Sequence, residues 1–202
     1  MHYWPGMHVL GKDILRFHAV FWPAMLLSAK LPLPKQIFVH GTIISDGKKM
    51  SKTLGNVISP YELEDRYGKD AARYLLLRHV HPFEDTDVTW ERLDEWYTAG
   101  LVDGLGNLVS RVMKMSETHL QELFDESNLT KEQLSQIFSE NYTSPLNKFA
   151  FQETLNVVWT NIQTFDEYIA DTEPFKLVKN EPEQAKAHLK FLREGLYLIG
   201  KR

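Results

Sequence analysis

The 202 residues contain no cysteine, which excludes disulfides and thiolate metal sites. The eight histidines show no HExxH or comparable ligand spacing, so no zinc or other metal site is expected in this chain. No apolar run reaches membrane-spanning length. The opening MHYWPGMHVL lacks the charged segment, long apolar stretch and small-residue cleavage site of a signal peptide. A cytoplasmic location without membrane contact is the default expectation. What is present is 43% hydrophobic residues, enough to bury a core in a chain with room for more than one domain.

Charge is unevenly placed. Residues 1 to 80 carry 11 Lys and Arg against 6 Asp and Glu, whereas residues 81 to 202 carry 12 against 21. The halves are thus +5 and −9. A locally basic first half suits a phosphate-bearing ligand, and an acidic second half is no generic nucleic-acid binder held by bulk electrostatics. Any nucleic-acid contact there must be local.

Strand and helix signals alternate over the first sixty residues: MHVLG, then DILRFHAVFWPAMLLSA, then QIFVHGTIIS. This is the pattern of a βαβ unit. The helix between the strands is apolar nearly all round, as if buried between a sheet and other layers, and Pro23 should kink it. Two parallel strands and one crossover suggest the end of a larger doubly wound domain, with residue 1 following a missing beginning. Beyond the strands, Ser59 and Glu62 form a capping box with Pro60 in the first turn. Gly68 interrupts that helix, Asp70 is placed to cap the next, and HPFEDTDV (81–88) is a turn-rich connector.

From 90 to about 120 a long helix is expected, with Gly100, Gly104 and Gly106 at close backbone approaches. A polar stretch from 125 to 147 carries a short helix, TKEQLSQIFSE, and the turn TSP. A second long helix, from about 147 to 170, repeats Phe151, Leu155, Val158, Ile162, Phe165 and Ile169 along one stripe. Two further helices follow, each with a proline in its first turn, and the closing stripe LYLIG expects a partner beyond Arg202. The trio Trp4, Trp22 and Trp90 is assigned to packing.

The segment DGKKMSKTLGN (46–56) places three lysines within five positions, next to an Asp46-Gly47 turn signal at the carboxyl side of the strands. Lys49 and Lys52, three apart on a loop able to close, are placed to put two ammonium groups on a polyphosphate. Composition alone equally describes a solvated basic loop.

Residue order adds more. Lys49-Met50-Ser51-Lys52-Thr53, continued by LGNVISPYEL, resembles the KMSKS signature of class I aminoacyl-tRNA synthetases, with threonine in its last place. The text before the loop, GKDILRFHAVFWPAMLLSAKLPLPKQIFVHG, and YGKDAARYLLLR with GNLVSRV after it, resemble the methionyl-tRNA synthetases within that class. The resemblance covers essentially the whole chain. It implies the C-terminal part of a Rossmann-like catalytic domain with the signature loop (1–58), a helical junction contacting the tRNA stem (59–88) and an α-helical anticodon-binding domain (89–202), mostly α overall. It further implies activation of L-methionine with ATP and transfer to tRNA(Met), magnesium arriving with the nucleotide.

By motif position, the resemblance makes Lys49 and Lys52 the catalytic phosphate holders. Met50, Ser51, Gly11 and Asp13 join them in the ATP site, and Asp13 and His18 line the methionine site. From residue chemistry alone Asp13 is also a helix N-cap, His18 a core histidine and Gly11 a turn glycine. In the second half, Asn107 and Arg111 share a helix face, a solvated surface by itself. The resemblance makes them readers of splayed anticodon bases, with Phe175 as the stacking platform where the family carries tryptophan. Phe175 is otherwise a packing residue, and Asp166 stands where the family usually has asparagine.

Alone, the chain is not expected to aminoacylate, since the nucleotide-cradling HIGH motif and the first half of the sheet are not among these residues. Another class I synthetase and a non-catalytic tRNA-binding module are the competing readings. Oligomeric state is left open.

Overall fold

The apolar run MHVLG forms β1 (Met7–Gly11), which pairs in parallel with β2 (Gln36–His40), Met7 opposite Gln36 and Gly11 opposite His40. Both strands therefore end at one edge. The computed structural model describes residues 4–120, 122–130, 132 and 140–201. They divide into two compact units, one ending at Arg92 and one beginning at Leu93. Residues 59–88 fall within the first.

The expected single helix between β1 and β2 is three pieces: a 3-10 turn (Lys12–Ile14), a π-helical segment (Phe17–Phe21) and α1 (Trp22–Ser28). Pro23 is the physical reason. Its ring carries no N–H, so the backbone ladder shifts register ahead of it, and the Trp22 N–H bonds back to the Phe17 carbonyl. The helix is also less buried than its composition implies. Leu26 is buried, but Phe17 and Met25 are 60% and 62% exposed, because one two-stranded sheet covers only one side.

The run QIFVHGTIIS is divided at Gly41-Thr42. Its second part is β3 (Ile43–Ser45), the central strand of a separate three-stranded sheet. A Cβ on Gly41 would lie 1.9 Å from the Glu84 carbonyl oxygen, so only glycine passes there. Asp46 and Gly47 both adopt positive φ (54° and 69°), the two-residue hairpin turn their sequence implied. That turn joins β3 to antiparallel β4 (Lys48–Lys49). The 81–88 connector contributes β5 (Thr86–Asp87), parallel to β3. A two-residue strand paired across forty positions leaves no periodicity to detect.

The capping box forms as expected: Tyr61 N–H donates to Ser59 Oγ (3.3 Å) and Ser59 N–H to Glu62 Oε2 (3.1 Å), opening α2 (Pro60–Tyr67). Gly68, at φ 80°, separates it from α3 (Lys69–His79). The cap position of α3 is Gly68, and Asp70 lies inside its first turn. There its carboxylate still complements the positive helix end.

The second unit is helical. The expected helix from 90 to 120 comprises α4 (Trp90–Tyr97), a π-helical segment (Thr98–Gly106) and α5 (Asn107–His119). The three glycines lie in the π segment, and a Cβ on Gly106 would come within 2.7 Å of the Leu101 carbonyl. Most of the expected helix over 130–140 lies outside the described residues. The expected TSP turn is instead inside α6 (Glu140–Asn147), where Pro145 is accommodated two residues from the helix end. α7 (Phe151–Thr172) follows, then α8 (Pro174–Asn180) and α9 (Pro182–Gly200), with prolines in their first turns. On α7, Val158, Ile162 and Ile169 pack with Leu108 and Val112 of α5 and Leu192 of α9. Leu155, expected on that stripe, is half-buried, and neighbouring Thr154 is buried, bonding its hydroxyl back to the Ala150 carbonyl.

Candidate functional site

In the first unit the site residues gather at the carboxyl ends of β1 and β2 and on the adjacent hairpin. The Lys49 ammonium, on β4, lies 3.3 Å from Asp13 Oδ2, just beyond β1. Asp13 is not an N-cap, since Gly11 holds that position of its 3-10 turn. Its carboxyl is held below the usual carboxylate range, first by the hydrogen bond from Lys49 and then by that lysine's charge. A second exposed pair lies alongside: Lys12 Nζ is 2.8 Å from Asp85 Oδ1, which also accepts the Thr42 N–H at 2.8 Å. The Asp85 carboxyl is lowered chiefly by that lysine hydrogen bond and then by the Thr42 N–H. Gly11 keeps the edge open, because a Cβ there would sit 3.0 Å from Asp13 Oδ1 and 3.6 Å from the His40 ring.

The lysines are not all on a loop. Lys48 and Lys49 belong to β4, and the chain leaves the strand at half-buried Met50. Ser51 to Gly55 then form a turn closed by the Leu54 and Gly55 N–H groups on the Ser51 carbonyl (both 3.1 Å). Lys52 is exposed in this turn, with no ion pair to any described residue. Asn56 ties the segment together: its Oδ1 accepts the Ser51 N–H at 2.9 Å, and its Nδ2 donates to the Ser45 and Lys49 carbonyls at 3.3 and 3.5 Å. Sequence reasoning missed Asn56, Asp85 and His40. For His40 a signal existed, since it ends the strand opposite Gly11.

His18 belongs to a different recess, an open apolar pocket of about 340 Å³ lined by His8, Phe17, His18, Phe21, Trp22 and Met25. The structure thus joins Asp13 to Lys49 but does not put Asp13 among the groups lining the His18 pocket. His18 Nδ1 is 3.0 Å from the Ile14 carbonyl. A carbonyl only accepts, so Nδ1 is the donor in this contact and Nε2 is the ring nitrogen left for another partner. Trp22, assigned to packing, lines this pocket and meets Trp4 edge-on, with ring centroids 6.3 Å apart. Trp90 packs under the Arg66 guanidinium, 5.2 Å from its ring centre.

In the second unit Asn107 and Arg111 are both exposed on α5, one turn apart. Arg111 Nη2 forms an ion pair with Asp166 Oδ1 of α7. Phe175 is not a core residue: it is 52% exposed at the start of α8, with the Lys176 ammonium 5.9 Å from its ring centre and Pro174 buried beside it. Among the described residues no three His, Asp or Glu groups cluster as a metal ion would require, and no helix is long and apolar enough to cross a membrane.

The chain as a whole has known relatives. The family model described as tRNA synthetases class I (M) matches residues 2–113. The methionine-tRNA ligase of Caldanaerobacter subterraneus subsp. tengcongensis is 39% identical over 98% of this chain and 32% of its own length. That of Lactococcus lactis subsp. lactis is 36% identical over 98% of the chain and 31% of its own length. Among solved structures, methionyl-tRNA synthetase of Mycobacterium tuberculosis bound by methionyl-adenylate superposes with a TM-score of 0.79 at 32% identity, covering 98% of this chain and 39% of that one. The chain spans about a third of the length of the curated relatives it matches. With the family model covering more than half of its residues, the chain belongs to the class I tRNA synthetases of the methionine type.

Proposed function

We propose that this chain works as part of a methionine-tRNA ligase. Its first unit would handle nucleotide and amino acid as the tail of a doubly wound catalytic domain, with 59–88 as the stem-contacting junction, and its second would read the tRNA anticodon. In the reaction a methionine carboxylate oxygen attacks the α-phosphorus of ATP, pyrophosphate departs with the electrons of the broken P–O bond, and the methionyl group then passes from the adenylate to a terminal ribose hydroxyl of the tRNA, releasing AMP. Such displacements depend on positioning and on stabilising charge that builds toward the leaving phosphates.

The observation that carries this reading is the juxtaposition of Lys49 with Asp13 at the strand ends, in a chain 39% identical to a methionine-tRNA ligase. An exposed lysine held by an exposed carboxylate is available to an incoming polyanion. Lys49 and Lys52 would hold the phosphates, Ser51 would add a hydrogen bond, and Met50 would anchor the loop. Gly11 would let the nucleotide approach the backbone. Asp13 would take up a cationic or hydroxyl group once Lys49 turns to phosphate, and His18 would present Nε2 at the apolar pocket where a thioether side chain fits. Magnesium would be held largely by the nucleotide's phosphates and water, and a cytoplasmic setting follows for a translation enzyme.

The test is methionine-dependent exchange of pyrophosphate into ATP by the intact protein, run in parallel with leucine, isoleucine, valine and cysteine. Exchange with methionine alone supports the reading. Exchange with another of these assigns a different class I synthetase, and none with any of them makes the protein a non-catalytic tRNA-binding module.

A further inference from the structure

We propose that Asp166 is a positioning residue for Arg111, holding its guanidinium so that the pair answers to the base edges of single-stranded RNA and not to its phosphates. The inference rests on the proposed anticodon-reading role of the second unit.

Arg111 follows buried Leu108 and precedes buried Val112 on α5, and Asp166 lies between buried Ile162 and Ile169 on α7. These four apolar residues share one core cluster, so the ion pair sits along the rim of a single packed seam. Both side chains remain open to solvent, the Arg111 side chain 52% exposed and that of Asp166 35%. A guanidinium offers five N–H donors in a rigid fork. One nitrogen is given to Asp166 Oδ1, and the others stay available to the acceptors of an unstacked base. A fork already fixed on a packed seam loses less freedom when it binds than a free arginine does.

Charge decides which part of the RNA the pair attracts. A free arginine gains affinity from every phosphate it neutralises, through counterion release, whatever the sequence. Paired with Asp166, Arg111 is locally neutral, and Glu167 and Asp171 keep the stretch of α7 that carries Asp166 acidic. Phosphate contact is therefore disfavoured, whereas hydrogen bonding to base edges keeps its geometry. Asn107, one turn before Arg111, adds an amide that both donates and accepts. The carboxylate thereby tempers the arginine.

The experiment measures binding of the full chain to a transcript of tRNA(Met) and to transcripts with the anticodon bases replaced one at a time, across a range of salt. Wild-type protein should discriminate between them. Asp166→Ala should lose about tenfold of that discrimination. Asp166→Asn, which keeps the shape and an acceptor oxygen but not the charge, should retain discrimination while its salt slope steepens by about one. If Arg111→Ala abolishes discrimination but both Asp166 variants match wild type in discrimination and salt slope, the positioning role is overturned and the anticodon reading stands. If Arg111→Ala changes nothing, or wild type does not discriminate, the anticodon reading falls and this inference with it. If Asp166→Ala fails to fold, the salt slope of Asp166→Asn decides: unchanged overturns the proposal, steeper supports it.

Discussion

The Lys49 ammonium and the Asp13 carboxylate meet at 3.3 Å although 36 residues separate them in the chain. One lies on a hairpin strand, the other just past the end of a parallel strand in another sheet. The contact fastens the lysine-bearing hairpin to the edge where the proposed nucleotide site lies, through groups that both stay exposed.

The pair should be visible in a carboxyl titration. In wild-type protein the Asp13 carboxyl should titrate below the usual carboxylate range, and in Lys49→Ala it should move up toward the ordinary value, because its largest perturbing partner is gone. Side-chain carboxyl NMR across acidic pH reads this directly. For a lowered carboxylate, any stabilisation by the pair is present above the unfolded-state value and lost as pH falls through the folded one. An unshifted midpoint in Lys49→Ala would show that the contact is not populated in solution.

His79 should shape the acid limb of the stability curve. Burial, and then the neighbouring Arg78 charge, depress it from 6.5 to about 4. Between those values the unfolded chain binds a proton that the folded chain refuses, so stability should fall as pH drops from about 6.5 toward 4. His79→Gln should flatten that limb in urea melts taken at successive pH values.

Gly41→Ala tests the crossing of β3 and the 81–88 segment. The new methyl would fall 1.9 Å from the Glu84 carbonyl oxygen, a backbone atom with no rotamer to yield. A loss of about 2 kcal/mol or more in urea unfolding is expected. A loss below about 0.5 kcal/mol, the range of an ordinary surface change, would mean the two segments are not so close.

Asn56→Ala tests the order of the signature loop. The substitution removes the acceptor for the Ser51 N–H and the donor to the Ser45 and Lys49 carbonyls. Stability should fall by about 1 kcal/mol, while the Ser51 amide should exchange with deuterium much faster than in wild type. Unchanged exchange at Ser51 would assign the ordering of this loop elsewhere.

These tests separate what was legible in the sequence from what was not. Signals acting within a few residues are realised: the Ser59 and Glu62 box, the Asp46-Gly47 turn, and Pro174 and Pro182 in first turns all have local physical causes. Pro23 announced an irregularity but not its form, since hydrophobic spacing does not distinguish an α-helix with a kink from one with an inserted π turn. Lys49 and Asp13 were each legible as site candidates, but their pairing was not, and neither was the Arg111 bond to Asp166. Both depend on how distant segments pack. Asn56 and Asp85 were missed for the same reason, because an amide and a carboxylate in polar surroundings look like ordinary surface until their partners are placed. Trp22 packs edge-on against Trp4 as assigned and also lines an open pocket, a second role that was not legible because an aromatic residue on an apolar helix carries the same pattern in either setting.

The central claim is that two ammonium groups, one on β4 and one in the turn that follows it, carry the phosphate chemistry, and the measurement that meets it most directly is methionine-dependent pyrophosphate exchange by the intact protein with Lys49→Ala and Lys52→Ala. Each variant should lose about 100-fold or more in rate, in the range set by removal of one stabilising donor from a transition state, with little change in melting temperature since both side chains are exposed. Exchange at the wild-type rate in both variants would contradict it.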